Sequence, residues 1–279
     1  MSRIIPKYYN YDLGGRVRMD ASVALANSNL LLIARGLVDG ASHVNKFGHN
    51  HTAGTGDDIW GGDGTYPFFP TAAVDVDIVS TSTDDDAGGT GAIQVLVQGL
   101  DVNWEEQQET VTLNGAGVVQ LTKTYVRMFR AFVLEAGTSN SNAGNITAYA
   151  RATGSGVTAG DVGIFIGAGG GQTQQCIYTI PAGKTAYFVK GYVGLATDAK
   201  TSEDGIFRWL MRLNNGLNGA WLAQGEVGLV NLGAGYWQYE YGVPAGPIPE
   251  KTDIRIELTS ASATFDTVGG FDLILFDND

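Results

Sequence analysis

The sequence predicts an all-β protein: two β-sandwich domains of jelly-roll type, preceded by an N-terminal arm and a candidate short helix. Three observations carry this. Glycine stands at 40 of 279 residues, about twice its usual share of roughly 7%, while 7 prolines and the lack of a G-x-y period exclude collagen. Val, Thr, Tyr and Phe gather in short runs between Gly, Asn and Asp, the pattern of strands joined by tight turns. Those runs recur at about the 8–12-residue spacing of sandwiches and barrels. The expected division is an arm, helix and long loop over 1–70, a first sandwich over 71–160 and a second over 161–279, the boundary lying in the glycine-rich stretch Gly154 to Gly171.

Residues 1–20 are basic and aromatic, with Arg3, Lys7, Arg16 and Arg18 among Tyr8, Tyr9 and Tyr11. Pro6 and Gly14-Gly15 break regular structure. Such an arm on an acidic chain suits a partner subunit; the alternative is a frayed terminus. Ala21 to Val38 carries apolar residues at Val23, Ala26, Leu30, Ile33 and Leu37, one face of a helix. Asp20 or Ser22 would cap its start and Gly40 its end; two asparagines leave an extended segment open.

Asp39 to Pro70 reads as a loop rich in Gly, Asp, Asn, His and Thr. It holds all three histidines, His43, His49 and His51. His49-Asn50-His51 followed by Asp57, Asp58 and Asp63 offers donors suited to zinc, nickel or manganese. In an extended loop, however, positions one and two apart do not converge on one ion, so the expectation is no metal. The aromatics Phe47, Trp60, Tyr66, Phe68 and Phe69 would order this loop against the body or a neighbouring subunit.

From Ala72 the pattern changes. AVDVDIVS alternates with Val74, Val76 and Ile78 on one face, a half-buried strand. Strands follow at Ile93 to Leu100, Glu109 to Leu113, Val118 to Leu121, Tyr125 to Glu135 and Asn145 to Arg151. Asn114-Gly115 predicts a type I′ hairpin. GAGGG and Gly183-Lys184-Thr185 lack the strand–helix context and spacing of nucleotide-binding loops. In the second block, strands are expected around CIYTIPAGKTAYFVKGYVGLA, Ile206 to Leu213, Trp221 to Leu232, Tyr236 to Val243, Thr252 to Ser260 and Phe271 to Phe276. PAGPIPEKT reads as a proline-set turn. A long aromatic strand followed by a polar loop, Gly and a further strand occurs in both blocks, as a duplication or as chance in a strand-rich chain.

Charge narrows the function. A net charge of −12 repels polyanions and anionic membranes, arguing against phosphate-driven nucleic-acid binding and membrane docking. No run approaches the roughly 18 apolar residues of a membrane span. The N-terminus lacks an apolar core with a cleavage site, so the chain is expected to be made in a cytoplasm and to stay soluble until it assembles or acts. The lone Cys176 is expected to be a buried, inert thiol. Asp75, Asp77, Asp84, Asp85, Asp86, Glu105, Glu106 and Glu109 are the acidic candidates for chemistry. A glycosidase needs a spaced carboxylate pair, and Trp104 beside Glu105 and Glu106 would suit a sugar. Asp84 to Asp86 lack calcium-loop spacing and read as a solvated turn. No cofactor, metal or catalytic set is expected.

Several stretches carry a resemblance: ARGLVDGASHVNKFGHN (Ala34 to Asn50), DDIWGGDGTYPF (Asp57 to Phe68) and VSTSTDDDAGGTGAIQVLVQGLDVNWEEQQETVTLNG (Val79 to Gly115), extended by YVRMFRAFVLEAGTSNSNAGNIT and YTIPAGKTAY. In this ordered series the chain resembles structural proteins of tailed bacteriophages. The resemblance implies a virion component without catalytic activity. The expectation is a capsid decoration or cement protein, a homotrimer on the major capsid protein, contacting its neighbours through Arg3, Lys7, Tyr8, Tyr9, Arg16, Arg18, Phe47, Trp60 and Tyr66. The alternatives are a tail, neck or head-fibre component touching the host surface, and a glycan-binding protein or glycan-active enzyme resting on Trp104, Trp221 and Trp237.

Overall fold

A computed structural model describes residues 9–11, 17–19, 28–196, 203–214, 219–231 and 234–278. The described chain is almost entirely antiparallel β-structure. It opens with β1 (Tyr9–Tyr11) paired to β2 (Val17–Met19). Helix α1 (Ser28–Ala34) ends at Ala34 rather than at Val38 as the periodicity predicts, and 21–27 lie outside the described residues. Its end is set by Gly36, in the left-handed region at φ 66, rather than by Gly40. The Gly36 and Leu37 amides donate to the carbonyls of Ile33 and Leu32, closing the helix as a Schellman motif.

Next come β3 (Ala41–Ala53) and β4 (Asp57–Asp58). Here the sequence reading fails, because a loop was expected over 39–70. The period-2 alternation is present but not written in hydrophobic residues. Lys46, Gly48 and Asn50 are buried, while His43, Asn45 and His51 are exposed. Glycine and polar residues at inward positions hide a strand from a pattern that looks for apolar ones.

The first sandwich is built from β5 (Val74–Ser80), β6 (Ala92–Leu100), β7 (Glu106–Thr112), β8 (Val119–Tyr125), β9 (Arg127–Ala136), β10 (Ile146–Ala150) and β11 (Val162–Ile166). One sheet runs β11-β10-β5-β8 and the other β7-β6-β9. Val76, Ile78, Val95, Val97, Ile146, Ala148, Ile164 and Ile166 fill the space between them. Asn114-Gly115 does not close a hairpin. Gly115 has the expected positive φ of 57, but β7 pairs with β6 and β8 with β5, so the turn carries the chain from one sheet to the other.

The second sandwich comprises β12 (Ile177–Thr179), β13 (Lys184–Ala196), β14 (Glu203–Leu213), β15 (Leu222–Asn231), β16 (Ala234–Ile248), β17 (Thr252–Ala261) and β18 (Phe265–Asp277). Its sheets run β12-β17-β14-β15 and β16-β13-β18-β3. With β3 counted first, these eight strands have the two-sheet, double-Greek-key order of a jelly roll. Strand β3 runs along β18 from Ala41 opposite Phe276 to Ala53 opposite Phe265, and β4 adds to β17. The first sandwich is therefore an insertion between the first and second strands of the jelly roll. PAGPI, expected as a turn, is the end of β16. Proline is tolerated there because β16 is an edge strand. The two aromatic stretches that share a rhythm sit differently: β9 is at a sheet edge and β13 is interior.

Candidate functional site

Two places gather the residues from which a function can be argued: the seam between the sandwiches and the open edge of the jelly roll. At the seam Arg127 of β9 meets Asp253 of β17. Both are buried, and Nε and Nη2 donate to the two carboxylate oxygens at 2.7 and 2.9 Å. The remaining Arg127 nitrogen donates to the Pro70 and Val126 carbonyls. Asp253 also accepts from Thr179 Oγ1, the Arg212 guanidinium and Asn214 Nδ2. Burial pushes its carboxyl up, but Arg127 first, then Arg212 and Thr179, offset this and hold it below the ordinary range. Aromatic rings enclose the cations. Arg127 lies over Phe69 and Trp104, and Arg212 over Phe69 and Trp221. Arg255 also lies over Trp221 and pairs with buried Asp58 at 3.0 Å. Burial raises the Asp58 carboxyl to about 7 against the pull of Arg255.

This arrangement overturns the sugar-platform reading of two tryptophans. Trp104 stacks on Arg127 from a strained backbone at φ 67, in a turn whose Asn103 and Glu105 amides donate to Asp101. Its carbonyl accepts the Ala182 amide of the jelly roll. Trp221 is covered by Arg212 and Arg255. Both brace the seam.

The expected contact residues divide. Arg3, Lys7, Tyr8 and Arg16 lie outside the described residues. Tyr9 pairs with Met19, and Arg18 with Asn10, in the β1–β2 ribbon. Phe47 is half-buried on β3. Trp60 and Tyr66 are corrected: they are 3% and 2% exposed inside the first sandwich. The Trp60 indole donates to the Gly64 carbonyl, and the Tyr66 hydroxyl bridges the Met128 and Gly163 carbonyls. Their polar tips are satisfied within the chain, so neither is free for a neighbouring subunit.

The acidic turn is also corrected. Asp84 is exposed, but Asp85 is fully buried. Its carboxylate accepts from Ser80 Oγ and the amides of Ala92, Ala143 and Gly144 at 2.5 to 2.9 Å. Burial raises its pKa; these four donors together outweigh burial and lower it. Asp85 is thus a hub tying its turn to the Ala143-Gly144 loop and, through its carbonyl, to the Gly115 amide, while Asp84 stays solvated. Cys176 is fully buried and burial pushes its thiol up, the state of an inert cysteine. Beside it, buried Lys46 donates to the Phe129 carbonyl, and burial brings its pKa down to about 7.

At the open edge, β15 and β16 end their respective sheets, and among the described residues their outer edges pair with no other strand. Both are long and exposed. Leu222, Val230, Tyr236, Tyr239 and Val243 are 60, 74, 61, 49 and 82% exposed. Between the two strands lies a cleft of about 690 Å³ lined by both sheets. Trp237, Tyr239 and Tyr241 stand at alternate positions of β16. Trp237 and Tyr239 are stacked at 6.1 Å and 10°, and Tyr241 meets Tyr239 edge-on at 4.8 Å. Trp209 closes the inner wall against Trp237 at 5.3 Å. Gln224 and Glu226 supply polar groups from β15. Of the three tryptophans expected to face a sugar, Trp237 alone lines this cleft. Tyr239 and Tyr241 were not singled out from the sequence, although aromatics at every second position of a proline-bearing strand carry that signal.

The histidines share the outer face of β3, each facing an aspartate of β18. His43 is 3.9 Å from Asp272, His49 hydrogen-bonds Asp266, and His51 is 3.9 Å from the other Asp266 oxygen. No helix among the described residues is long and apolar enough to cross a membrane.

No protein-family model matches the chain, and no curated protein matches it. Among solved structures, the VP2 subviral particle of infectious bursal disease virus aligns with 86% of this chain and 77% of that chain, at 10% identity and a TM-score of 0.19. The Gt strain of the same virus aligns with 86% and 82%, at 12% identity and a TM-score of 0.13. Vicilin from hazelnut, Corylus avellana, aligns with 86% and 76%, at 8% identity and 0.12. Likenesses at these scores carry no argument about this chain.

Proposed function

We propose that this chain is a non-enzymatic structural protein of a virion, a decoration or cement protein seated on the head shell of a tailed bacteriophage. It would be made in the host cytoplasm and assemble with itself, as a homotrimer, and with the major capsid protein. The observation that carries this is the apolar edge formed by β15 and β16, whose outer sides pair with no strand among the described residues. An exposed edge strand of 15 residues is a template for pairing with another chain, and isolated proteins blunt such edges. Contiguous apolar exposure marks an interaction surface. The sequence resemblance points the same way. Jelly rolls serve in viral capsids and in lectins alike, so the fold adds analogy only. The mechanism is mechanical: edge pairing and apolar burial between neighbours raise the cost of separating them, and the ionic seam lets the two sandwiches transmit load together.

The test is a charged edge. Tyr236→Lys with Val243→Lys spares the rings that line the cleft and charges the exposed apolar edge. The variant should run as a monomer by light scattering, and should fail to be retained on purified capsids, with an unchanged circular dichroism spectrum. A wild-type chain that is itself monomeric and does not bind shells sinks the reading.

A second reading rests on the aromatic cleft. Stacked rings flanked by Gln224 and Glu226 suit the apolar face and hydroxyls of a sugar. This would fit a tail, neck or head-fibre role at the host surface, or a glycan-active enzyme. A glycan array with a turnover assay separates these outcomes. Saturable binding abolished by Trp237→Ala favours the host-surface role, and cleavage favours an enzyme.

A further inference from the structure

We propose that His49, His51 and Asp266 form a binding site for a divalent transition-metal ion of the zinc class. The sequence argued against this, because an extended loop would splay neighbouring histidines. In a strand, positions i and i+2 project from the same face, and β18 brings a carboxylate to meet them. One ligand atom from each of the three residues can be chosen so that all lie within 4.8 Å of one another. The two imidazole rings are 3.9 Å apart between centroids. At zinc-ligand lengths of about 2.0–2.2 Å, tetrahedral ligand atoms sit roughly 3.3 Å apart, so small side-chain rotations close the site.

The backbone is shaped for this. The β3–β18 register slips between Phe265 and Thr267, opposite His51 and Thr52, which are both exposed. This is the signature of a β-bulge, a device that re-aims side chains. Buried Asn50 pins the bulge from inside. Its Oδ1 accepts the Thr52 amide and its Nδ2 donates to the Asp58 carbonyl, each at 3.0 Å. Thr267 Oγ1 donates to the Asn50 carbonyl at 3.1 Å. The ligands thus stand on a fixed ladder rather than a loose loop, the support a metal site needs. Two imidazoles and one carboxylate suit zinc, nickel or cobalt. Three protein ligands leave a position for water or for a side chain of an adjoining molecule.

The chain has three histidines in all, so the assignment is decided by substitution. Untagged full-length protein is titrated with zinc chloride by calorimetry, and with cobalt(II) by visible absorption. The expected result is one ion per chain, with cobalt bands of a four-coordinate site. His51→Ala and Asp266→Asn are exposed changes, and each should weaken zinc at least about ten-fold, no less than loss of a supporting partner costs. His43→Ala should leave the affinity unchanged. Circular dichroism of each variant confirms the fold. Absence of zinc binding by the wild-type chain, or unchanged affinity in both His51→Ala and Asp266→Asn, overturns the proposal.

Discussion

Arg127 and Asp253, 126 residues apart in sequence, grip each other through two parallel hydrogen bonds at the seam between the sandwiches. Each lies in a different sandwich and both are buried. A guanidinium buried there is held by this carboxylate, two carbonyls and two aromatic faces. Arg127→Ala leaves Asp253 with Arg212 alone as a charged partner and opens a hole beside Trp104. Breaking a buried pair on one side costs about 3–5 kcal/mol, so urea unfolding of the variant should show a loss of that size. Arg127→Lys should recover little, because an ammonium cannot make the bidentate fork. A loss below about 1 kcal/mol, the range of exposed ion pairs, would show that the seam is not held this way.

Asp85 gives a second contrast. Asp85→Ala removes the acceptor for three backbone amides and Ser80, and each orphaned buried donor costs about 1–3 kcal/mol. Asp84→Ala, one position away and exposed, should stay within about 0.5 kcal/mol. The lowered pKa of Asp85 adds a pH signature. Its contribution is complete above the unfolded carboxyl value of about 3.9 and disappears as pH falls through the lower folded value. Equal thermal midpoints for the two variants at pH 7 would refute the hub.

Lys46 predicts a dependence at the other end of the scale. Its folded value is about 7, while an unfolded lysine titrates near 10.4. Between these the unfolded chain holds the extra proton, so stability rises with pH. The penalty for charging Lys46 is complete below pH 7 and fades as pH approaches 10. Lys46→Met should flatten that rise, measured as the denaturant midpoint at pH 7 and pH 9. An identical slope in both proteins would place the proton elsewhere.

Gly48 tests the packing of β3 itself. A Cβ built there would meet the Ile59 carbonyl oxygen at 2.3 Å and the Cys176 amide nitrogen at 2.7 Å. Both are backbone atoms that cannot swing aside. Gly48→Ala should cost about 3 kcal/mol or more, at the upper end of overpacking, or prevent folding. A wild-type melting temperature would mean that β3 does not lie against the Ile59 and Cys176 backbone as described.

Gly48 also shows where sequence reading stopped. The strands of the inserted sandwich were legible because Val, Ile and Ala mark one face at every second position. Strand β3 was illegible because its inward residues are lysine, glycine and asparagine, chosen for a close backbone approach and for hydrogen bonds. With β3 hidden, the jelly roll appeared to begin at β12 and the insertion could not be seen. The site residues followed the same logic. Trp60 and Tyr66 resemble contact aromatics by type alone, and burial is decided by partners far along the chain. Asp266 could not be joined to His49 and His51 without the β3–β18 register. Tyr239 and Tyr241 were visible as alternation but lacked the knowledge that β16 ends its sheet.

The placement of β3 has a consequence for how the protein is made. Its partner strand leaves the ribosome long after it: Asn45 bonds Asp272 across 227 residues. The inserted sandwich has all its strands once residue 166 has emerged, and domains fold as units during synthesis. The jelly roll must instead hold its first strand unpaired until β18 has emerged. Closing so long a loop is slow, and meanwhile β3 offers bare amides and carbonyls to any neighbouring nascent chain. The polar inward residues of β3 have a use in that interval. A waiting strand with three histidines, two asparagines and a lysine stays hydrated, where a Val- and Ile-rich one would seek another chain.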